Sequence, residues 1–406
     1  MLSVRLIVFR PHQAKKYIKG DVLKKRAVLI TVVALSSGVM AFDMKGQVGE
    51  NKAKLQMFGF AQLEARGGDG VIKDNQNGDV KFGAQRIRLG WKYIVGRVRG
   101  KVFVDFNRPH NDKSGVGVPD MIKDAFASYK VNNALSIKLG ILKMPIGMSF
   151  TMPGWNLDVV ERGFDKALAF ERNMGFMISG RDIGFGNNAK VSGLEMGHER
   201  PYKGFGYDIM LGNQAGRSGA VTNAHAGDAN SYAIRLMFDW TEKFHSEISY
   251  GVSNNAGGIA GVTDKITNDT ENYRVFNAGI DSHLGRGNIK AEYFDSENIR
   301  GVDGWDESAV SLTGTYYVTD TLEFATKHIQ GSATKGGVDT DLGNTYIGFN
   351  FYLEPANSKM DRMSKKKRNQ HRVQLNYVVA SGDKKEWNGL KGYRDDAILA
   401  QYQFKF

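Results

Sequence analysis

The chain has 406 residues, no cysteine, 49 glycines and only 7 prolines, with a formal net charge of +12 and a mean hydropathy of −0.37. Residues 1–41 hold eight Lys/Arg and one Asp, so 42–406 carry 47 basic and 42 acidic residues, a net of +5. That balance is too weak and too diffuse for a nucleic-acid surface, and the lack of cysteine fits an exported protein that avoids disulfide chemistry.

The first element in chain order is a leader. Lys24-Lys25-Arg26 precede an apolar run from Ala27 to Ala41, 15 residues long. A spanning helix needs roughly 20. The run ends Val39-Met40-Ala41, with small residues at −3 and −1, which predicts a secretory signal peptide cleaved after Ala41. The stretch before it is long for a leader and leaves a start at Val22 or Leu23 open beside Met1. The expected division is 1–41, signal peptide with an extended N-terminal region, and 42–406, one β-barrel domain.

From Phe42 onward, sixteen segments alternate apolar and polar residues. They lie near 53–65, 81–95, 97–107, 121–131, 134–144, 181–193, 205–213, 230–240, 244–253, 272–284, 288–297, 308–318, 321–330, 344–354, 370–380 and 395–406. Most have about ten residues or slightly more, the length of a tilted membrane-spanning strand. The sixth alternates least well. The last shows the pattern most clearly. Ile398, Ala400, Tyr402, Phe404 and Phe406 fall on one face, and Ala397, Leu399, Gln401, Gln403 and Lys405 on the other. Successive side chains of a strand point to opposite faces. A strand with one face to lipid and the other to water is the unit of a transmembrane barrel.

The connections mostly alternate in length. Gly96, Asn132-Asn133, Thr241-Glu242-Lys243, Gly285-Arg286-Gly287 and Thr319-Asp320 are short; 66–80, 108–120, 145–180, 214–229, 254–271, 298–307, 331–343 and 381–394 are long. Outer-membrane barrels have short periplasmic turns, long outer loops and an even strand number. All seven prolines, at 11, 109, 119, 145, 153, 201 and 355, fall in the leader or in connections, as a closed barrel without edge strands requires. Tyr93, Trp240, Phe244, Tyr316, Tyr402, Phe404 and Phe406 sit at strand ends joined by short turns, where an aromatic girdle belongs. A soluble sandwich or propeller has shorter strands and nothing to enforce the loop rhythm. The expected fold is all-β: a transmembrane antiparallel β-barrel of about 16 strands, with both ends of the mature chain periplasmic.

The longest connection, 145–180, has no strand pattern and is too apolar to lie in water outside a barrel. Long inserts of this kind are often functional. It is expected to be the third outer loop, folded into the lumen. Met148, Phe150, Trp155 and Phe164 would pack on the wall, Asn156 would cap a short helix, and Arg162, Lys166 and Arg172 would approach the narrowest point.

With the apolar face outward, Arg86, Arg88 and Lys92 point into the lumen from the second segment, and Arg97, Arg99 and Lys101 from the third. Antiparallel neighbours joined by one residue bring the six together near the periplasmic mouth. Lys138, Arg235, Lys290, Lys327 and Arg372 also point inward, against Glu64, Asp105, Asp124, Asp208, Asp239, Glu247, Glu292 and Glu323. A wet lumen accounts for mixed charge on the later strands. It does not account for six cations on two adjacent ones. Such a stripe favours anions, and arginine grips phosphate oxygens bidentately.

Gly140-Ile141-Leu142-Lys143-Met144-Pro145-Ile146-Gly147, then Glu161-Arg162-Gly163, then Arg181-Asp182-Ile183-Gly184 resemble, in order, the motifs of the phosphate-selective porin O/P family; Arg86-Ile87-Arg88-Leu89 and the terminal Phe406 fit as well. The resemblance covers essentially the whole mature chain and is strongest over 81–213. It implies a sixteen-stranded outer-membrane channel, usually trimeric, with the third outer loop turned inward. The family's phosphate-binding arginines and lysines do not match positions here one by one and are not carried over.

Other chemistry is thin. The eight histidines are scattered without metal-ligand spacing. Gly184-Phe185-Gly186-Asn187-Asn188-Ala189 is a loose GxGxxA with no helix pattern after it, and no Ser/His/Asp arrangement stands out. The expected function is therefore not enzymatic and uses no metal or cofactor. It is an outer-membrane porin of the Gram-negative type, a passive channel for small anions, with phosphate or polyphosphate as candidate solutes. Its partners are those anions and outer-membrane lipid, not nucleic acid, and it assembles as a homotrimer. The alternative is a general or differently selective porin for other small hydrophilic solutes.

Overall fold

A computed structural model describes residues 43–68, 80–107, 121–184, 204–213, 230–241, 243–254, 271–355, 370–383 and 392–406. The expected signal peptide and Phe185–Ala189 lie outside them. Sixteen strands form the wall. They are β2 (Asn51–Gly67), β3 (Lys81–Val95), β4 (Val98–Asp105), β5 (Ile122–Lys130), β6 (Ser136–Lys143), β7 (Arg172–Ile183), β8 (Gly204–Asn213), β9 (Asn230–Asp239), β10 (Phe244–Ser253), β11 (Tyr273–Leu284), β12 (Gly287–Glu297), β13 (Trp305–Tyr317), β14 (Leu322–Lys335), β15 (Val338–Tyr352), β16 (His371–Gly382) and β17 (Ala397–Lys405). Each pairs antiparallel with the next.

The last strand returns to the first. β17 pairs with β2 from Ile398↔Gly67 to Lys405↔Phe60. Gly59 and Phe406 then exchange two backbone hydrogen bonds of 3.0 Å. This closes the barrel, and closure leaves no wall strand with an unpaired edge. A seventeenth strand, β1 (Asp43–Val48), was not expected from sequence. It folds back as a hairpin on Asn51–Gln56 of β2, just beyond the end of β17.

Burial along the strands inverts the pattern of a soluble protein. Ile209, Leu211, Ile234, Ile248, Phe276, Leu312, Phe349, Leu375 and Ile398 are exposed on the outer face. Asp208, Arg235, Glu247, Asn277, Glu323, Asn350, Arg372 and Gln374 are buried on the inner one. Exposed aromatics gather at the end that carries the short turns. Trp240 stacks on Phe238, which contacts Phe205 at 5.1 Å, and Tyr93, Tyr316 and Tyr402 stand near the same end.

Three expectations need correction. The sixth wall strand is Arg172–Ile183, not 181–193. Its N-terminal half, Arg172-Asn173-Met174-Gly175-Phe176-Met177, has apolar or small residues on both faces and so lacks alternation, while 185–193 lies outside the described residues. The connection before it is therefore shorter than expected, 144–171. The long loop expected at 331–343 is instead strand on both sides of the tight turn Gly336–Gly337, both at positive φ. Asn156 caps nothing; it ends a one-turn 3-10 helix, Gly154–Asn156, between a one-turn α-helix at Met148–Thr151 and a second 3-10 turn at Phe164–Leu168.

Segment 144–171 lies against the inner wall. Met148, Phe150, Trp155 and Phe164 are all buried, as expected. Met144, Ile146, Phe150, Val159, Val160, Phe164, Leu168 and Phe170 join Tyr273, Val275, Phe294, Trp305, Ile329 and Tyr346 in one apolar cluster. Each such side chain contributes roughly 1.5–3 kcal/mol on full burial. Polar ties reinforce the contact. Glu292 accepts from the Ser149 N–H at 3.1 Å, Asn376 accepts from the Val160 N–H at 2.8 Å, and Arg372 donates to the Leu157 carbonyl at 2.7 Å. Lys290 pairs with Asp158, and Lys327 Nζ lies 3.3 Å from Asp165 Oδ2. Gly163 (φ 95°) sits where a Cβ would fall 2.0 Å from Ile329 Cδ1, so only glycine permits that approach.

Candidate functional site

Because segment 144–171 packs on the β11–β17 side, the open space lies on the other. A cavity of about 630 Å3 is bounded by β3–β7 and by the near face of the segment. Among the described residues that line it are thirteen Lys or Arg and four Asp or Glu.

Strand alternation supplies the first of these cations. On β3, Arg86, Arg88 and Lys92 occupy the inner face and line the cavity. On β4, Arg99 and Lys101 lie opposite Ile94 and Lys92 and line it too. Arg97 does not. It falls in the Gly96–Arg97 turn, is exposed, and lends its carbonyl to the Lys130 N–H. Arg162, Lys166 and Arg172 all line the cavity. Arg172, expected in the loop, is the first residue of β7.

Several lining residues escaped the sequence reading. Lys130 continues the inner face of β5 and, with the expected Lys138 of β6, extends the cation row toward the short-turn end. Lys123 precedes the inward Asp124 on β5. A register shift opposite Phe103/Val104 puts both residues into the lining, which strict alternation forbids. A second shift, between Gln62 and Leu63, does the same for Gln85 beside Arg86. Lys143 ends β6 where the chain turns inward, and its ammonium donates to the carbonyls of Phe150, Thr151 and Met152 at 2.9, 3.0 and 3.3 Å.

The acids of the cavity are already engaged. Asp105 binds Arg88 at 2.9 Å. Asp124 is shared between Lys101 at 2.5 Å and Arg172 at 2.9 Å. Glu171 binds Lys166 at 2.9 Å. Burial alone would raise the Glu171 carboxyl, but Lys166, Arg172 and Lys123 outweigh it and hold the group well below the usual carboxylate range. Arg162 spends its donors on the carbonyls of Ser149 and Met152. Burial, then the Arg88 and Arg172 cations, push its guanidinium down to about 9, so it stays charged at neutral pH. The cavity is thus lined by clustered cations whose nearby carboxylates offset only part of the charge.

On β7–β10 the inner-face charges pair with one another. Asp208 takes Arg181 at 2.9 Å and Arg235 at 2.6 Å. His245 bridges Asp239 at 2.6 Å and Glu247 at 3.1 Å. No group of three or more His, Asp or Glu that could hold a metal occurs among the described residues.

No family model matches the chain, and no curated protein matches it. Solved structures do. OmpF of Salmonella typhi, in complex with daunomycin, is 13% identical with a TM-score of 0.57, over 89% of this chain and 100% of that one. The outer membrane channel DcaP of Acinetobacter baumannii is 13% identical with a TM-score of 0.57, over 89% and 99%. The anion-selective porin from Comamonas acidovorans is 12% identical with a TM-score of 0.54, over 87% and 100%. At such identities the likeness is one of fold: the chain has the porin-like channel fold of outer-membrane β-barrels.

Proposed function

We propose that the protein is a passive outer-membrane channel that favours small anions and is not an enzyme. The observation that carries this reading is the cavity lining, thirteen Lys or Arg against four Asp or Glu, with Asp105, Asp124 and Glu171 already paired. Rings or stripes of such side chains favour anion passage. Segment 144–171 is the third outer loop and the constriction, and Arg162, Lys166 and Arg172 bound the narrow passage beside it. The outward apolar face meets lipid, residues 1–41 are a signal peptide, the short turns are periplasmic, and three copies assemble. Phosphate is the candidate solute, on the residues that resemble the porin O/P family. Phe126, Phe150 and Trp155 in the same lining support a second reading, a porin for small organic solutes.

The test is the zero-current potential of the reconstituted channel under a salt gradient. Wild type is expected to prefer chloride over potassium. Exchanging Lys92, Arg99 and Lys138 for Gln is expected to lower that preference several-fold. Phosphate should block chloride current more strongly than a small neutral or organic solute does. Cation preference in the wild type would overturn the reading. Block by aromatic carboxylates but not by phosphate would favour the second.

A further inference from the structure

The inner face of β3 reads Arg86, Arg88, Gly90, Lys92, so one position in the cation row has no side chain. Phe58 of β2 and Phe103 of β4 pair with Gly90 from either side. A Cβ at residue 90 would stand 2.7 Å from Phe58 Cζ and 2.7 Å from Phe103 Cδ2. The glycine therefore opens the gap in which the two rings meet across β3. Their centroids are 5.1 Å apart and their planes 24° from parallel. Phe60 and Trp155 extend the bed, with Trp155 edge-on to Phe60 at 5.2 Å.

Cations surround these rings. Arg88 Cζ lies 5.7 Å from the centroids of both Phe60 and Phe103. Lys92 Nζ lies 4.6 Å from Phe58. Lys101 Nζ lies 4.9 Å from Phe103 and 5.8 Å from Phe58. All three cations and Phe103 line the cavity. A carboxylate fixes a lysine but cancels its field. The face of an aromatic ring attracts a cation through its quadrupole and adds no net charge.

We infer that Phe58, Gly90 and Phe103 form a positioning unit for the anion path, holding Arg88, Lys92 and Lys101 at the cavity while preserving their charge. Asp105 and Asp124 anchor Arg88 and Lys101 and neutralise part of them; the rings anchor without that loss. Lys92, with its ammonium nearest a ring, is the most direct reporter. Phe58 acts on the anion only through Lys92 and Lys101, and Phe103 only through Arg88 and Lys101.

The inference rests on the anion-channel reading, and one experiment separates the two. Zero-current potentials under a salt gradient are read for the full chain as wild type, Lys92→Gln, Phe58→Leu and the double variant. Leu keeps apolar volume at position 58 but removes the ring face. Phe58→Leu is expected to lower the anion-to-cation permeability ratio about twofold, and to add little in the Lys92→Gln background. A fully additive effect in the double variant, or no effect of Phe58→Leu beside a clear effect of Lys92→Gln, overturns the positioning role and leaves the anion path standing. No effect of Lys92→Gln, or no anion preference in the wild type, overturns both. If Phe58→Leu gives no heat-modifiable barrel, Phe103→Leu against Lys101→Gln is read in the same way.

Discussion

The two halves of the barrel interior solve the problem of inward polar groups in opposite ways. From β11 to β17 the wall is covered. Lys290, Lys327, Arg372, Gln374 and Asn376 spend their polar atoms on the backbone or carboxylates of segment 144–171, and an apolar cluster fills the space between. From β3 to β7 the wall is open and its cations face a cavity. The same alternating strand code produces both. The difference comes from where one segment of about thirty residues docks, so the fold supplies the cylinder while the position of 144–171 leaves one arc of it bordering a cavity.

The largest expected effect breaks the comparison at its seam, because β17 of the covered wall meets β2 beside the open wall. Deleting Phe404–Phe406 removes the Phe404↔Ala61 and Lys405↔Phe60 pairs and both Gly59–Phe406 hydrogen bonds. Each backbone group left unpaired in lipid costs several kcal/mol. Heat-modifiable barrel should disappear from gels and unassembled protein should accumulate. A normal folded band would mean that the seam does not need these residues.

The next effect is on the covered wall. Lys327→Met leaves the Asp165 carboxylate, 1% exposed, without its cation and withdraws a donor from the Arg162 carbonyl. Removing one partner of a buried pair costs on the order of 3–5 kcal/mol. The apolar contacts of the segment oppose its release, so the barrel should persist while the segment loosens. Limited proteolysis within 144–171 should speed up, and single-channel conductance should become larger and noisier. Unchanged protease resistance and conductance would show that apolar packing alone holds the segment.

The contrast between the walls also marks what could be read from the sequence. Fifteen of the sixteen strands were legible, because a half-buried strand is the element that imposes period-two alternation over about ten residues. The sixth was not, since β7 begins Arg172-Asn173-Met174-Gly175-Phe176-Met177, where apolar and small residues fall on both faces and no alternation shows. Arg86, Arg88, Lys92, Arg99 and Lys101 were legible as lining residues for the same reason. Lys123 and Gln85 were not, because register shifts add a residue and reverse the facing rule. The sharing of Asp124 between Lys101 and Arg172 was out of reach, since those residues meet only after three strands and a long connection have been placed.

On the open wall the equivalent change has the opposite sign. Asp124→Asn frees Lys101 and Arg172 from the carboxylate they share. One negative charge leaves the lining and two cations regain their field. The anion-to-cation permeability ratio should rise about two- to threefold, with the folded band retained, since the amide oxygen still accepts from one of the two cations and the other can turn to the cavity. A fall in the ratio would mean that Asp124 serves mainly to aim the two cations rather than to neutralise them.

The smallest effect separates two arginines two positions apart at the same strand end. Both are exposed, but Arg99 lines the cavity from β4, whereas Arg97 falls in the turn after β3 and does not line it. Both carry a full charge near the same barrel mouth, so a field set by total mouth charge would respond equally to either loss. Charges that face bulk solvent are screened beyond roughly 8–10 Å at physiological salt, and a charge that borders the cavity acts on the ion path at shorter range. Arg99→Gln should therefore move the zero-current potential, and Arg97→Gln should leave it within error at moderate salt. At low salt, where the screening length grows to about 30 Å, Arg97→Gln should begin to register. Equal shifts for both variants at moderate salt would place the selective field at the mouth as a whole instead of along the β3–β7 wall.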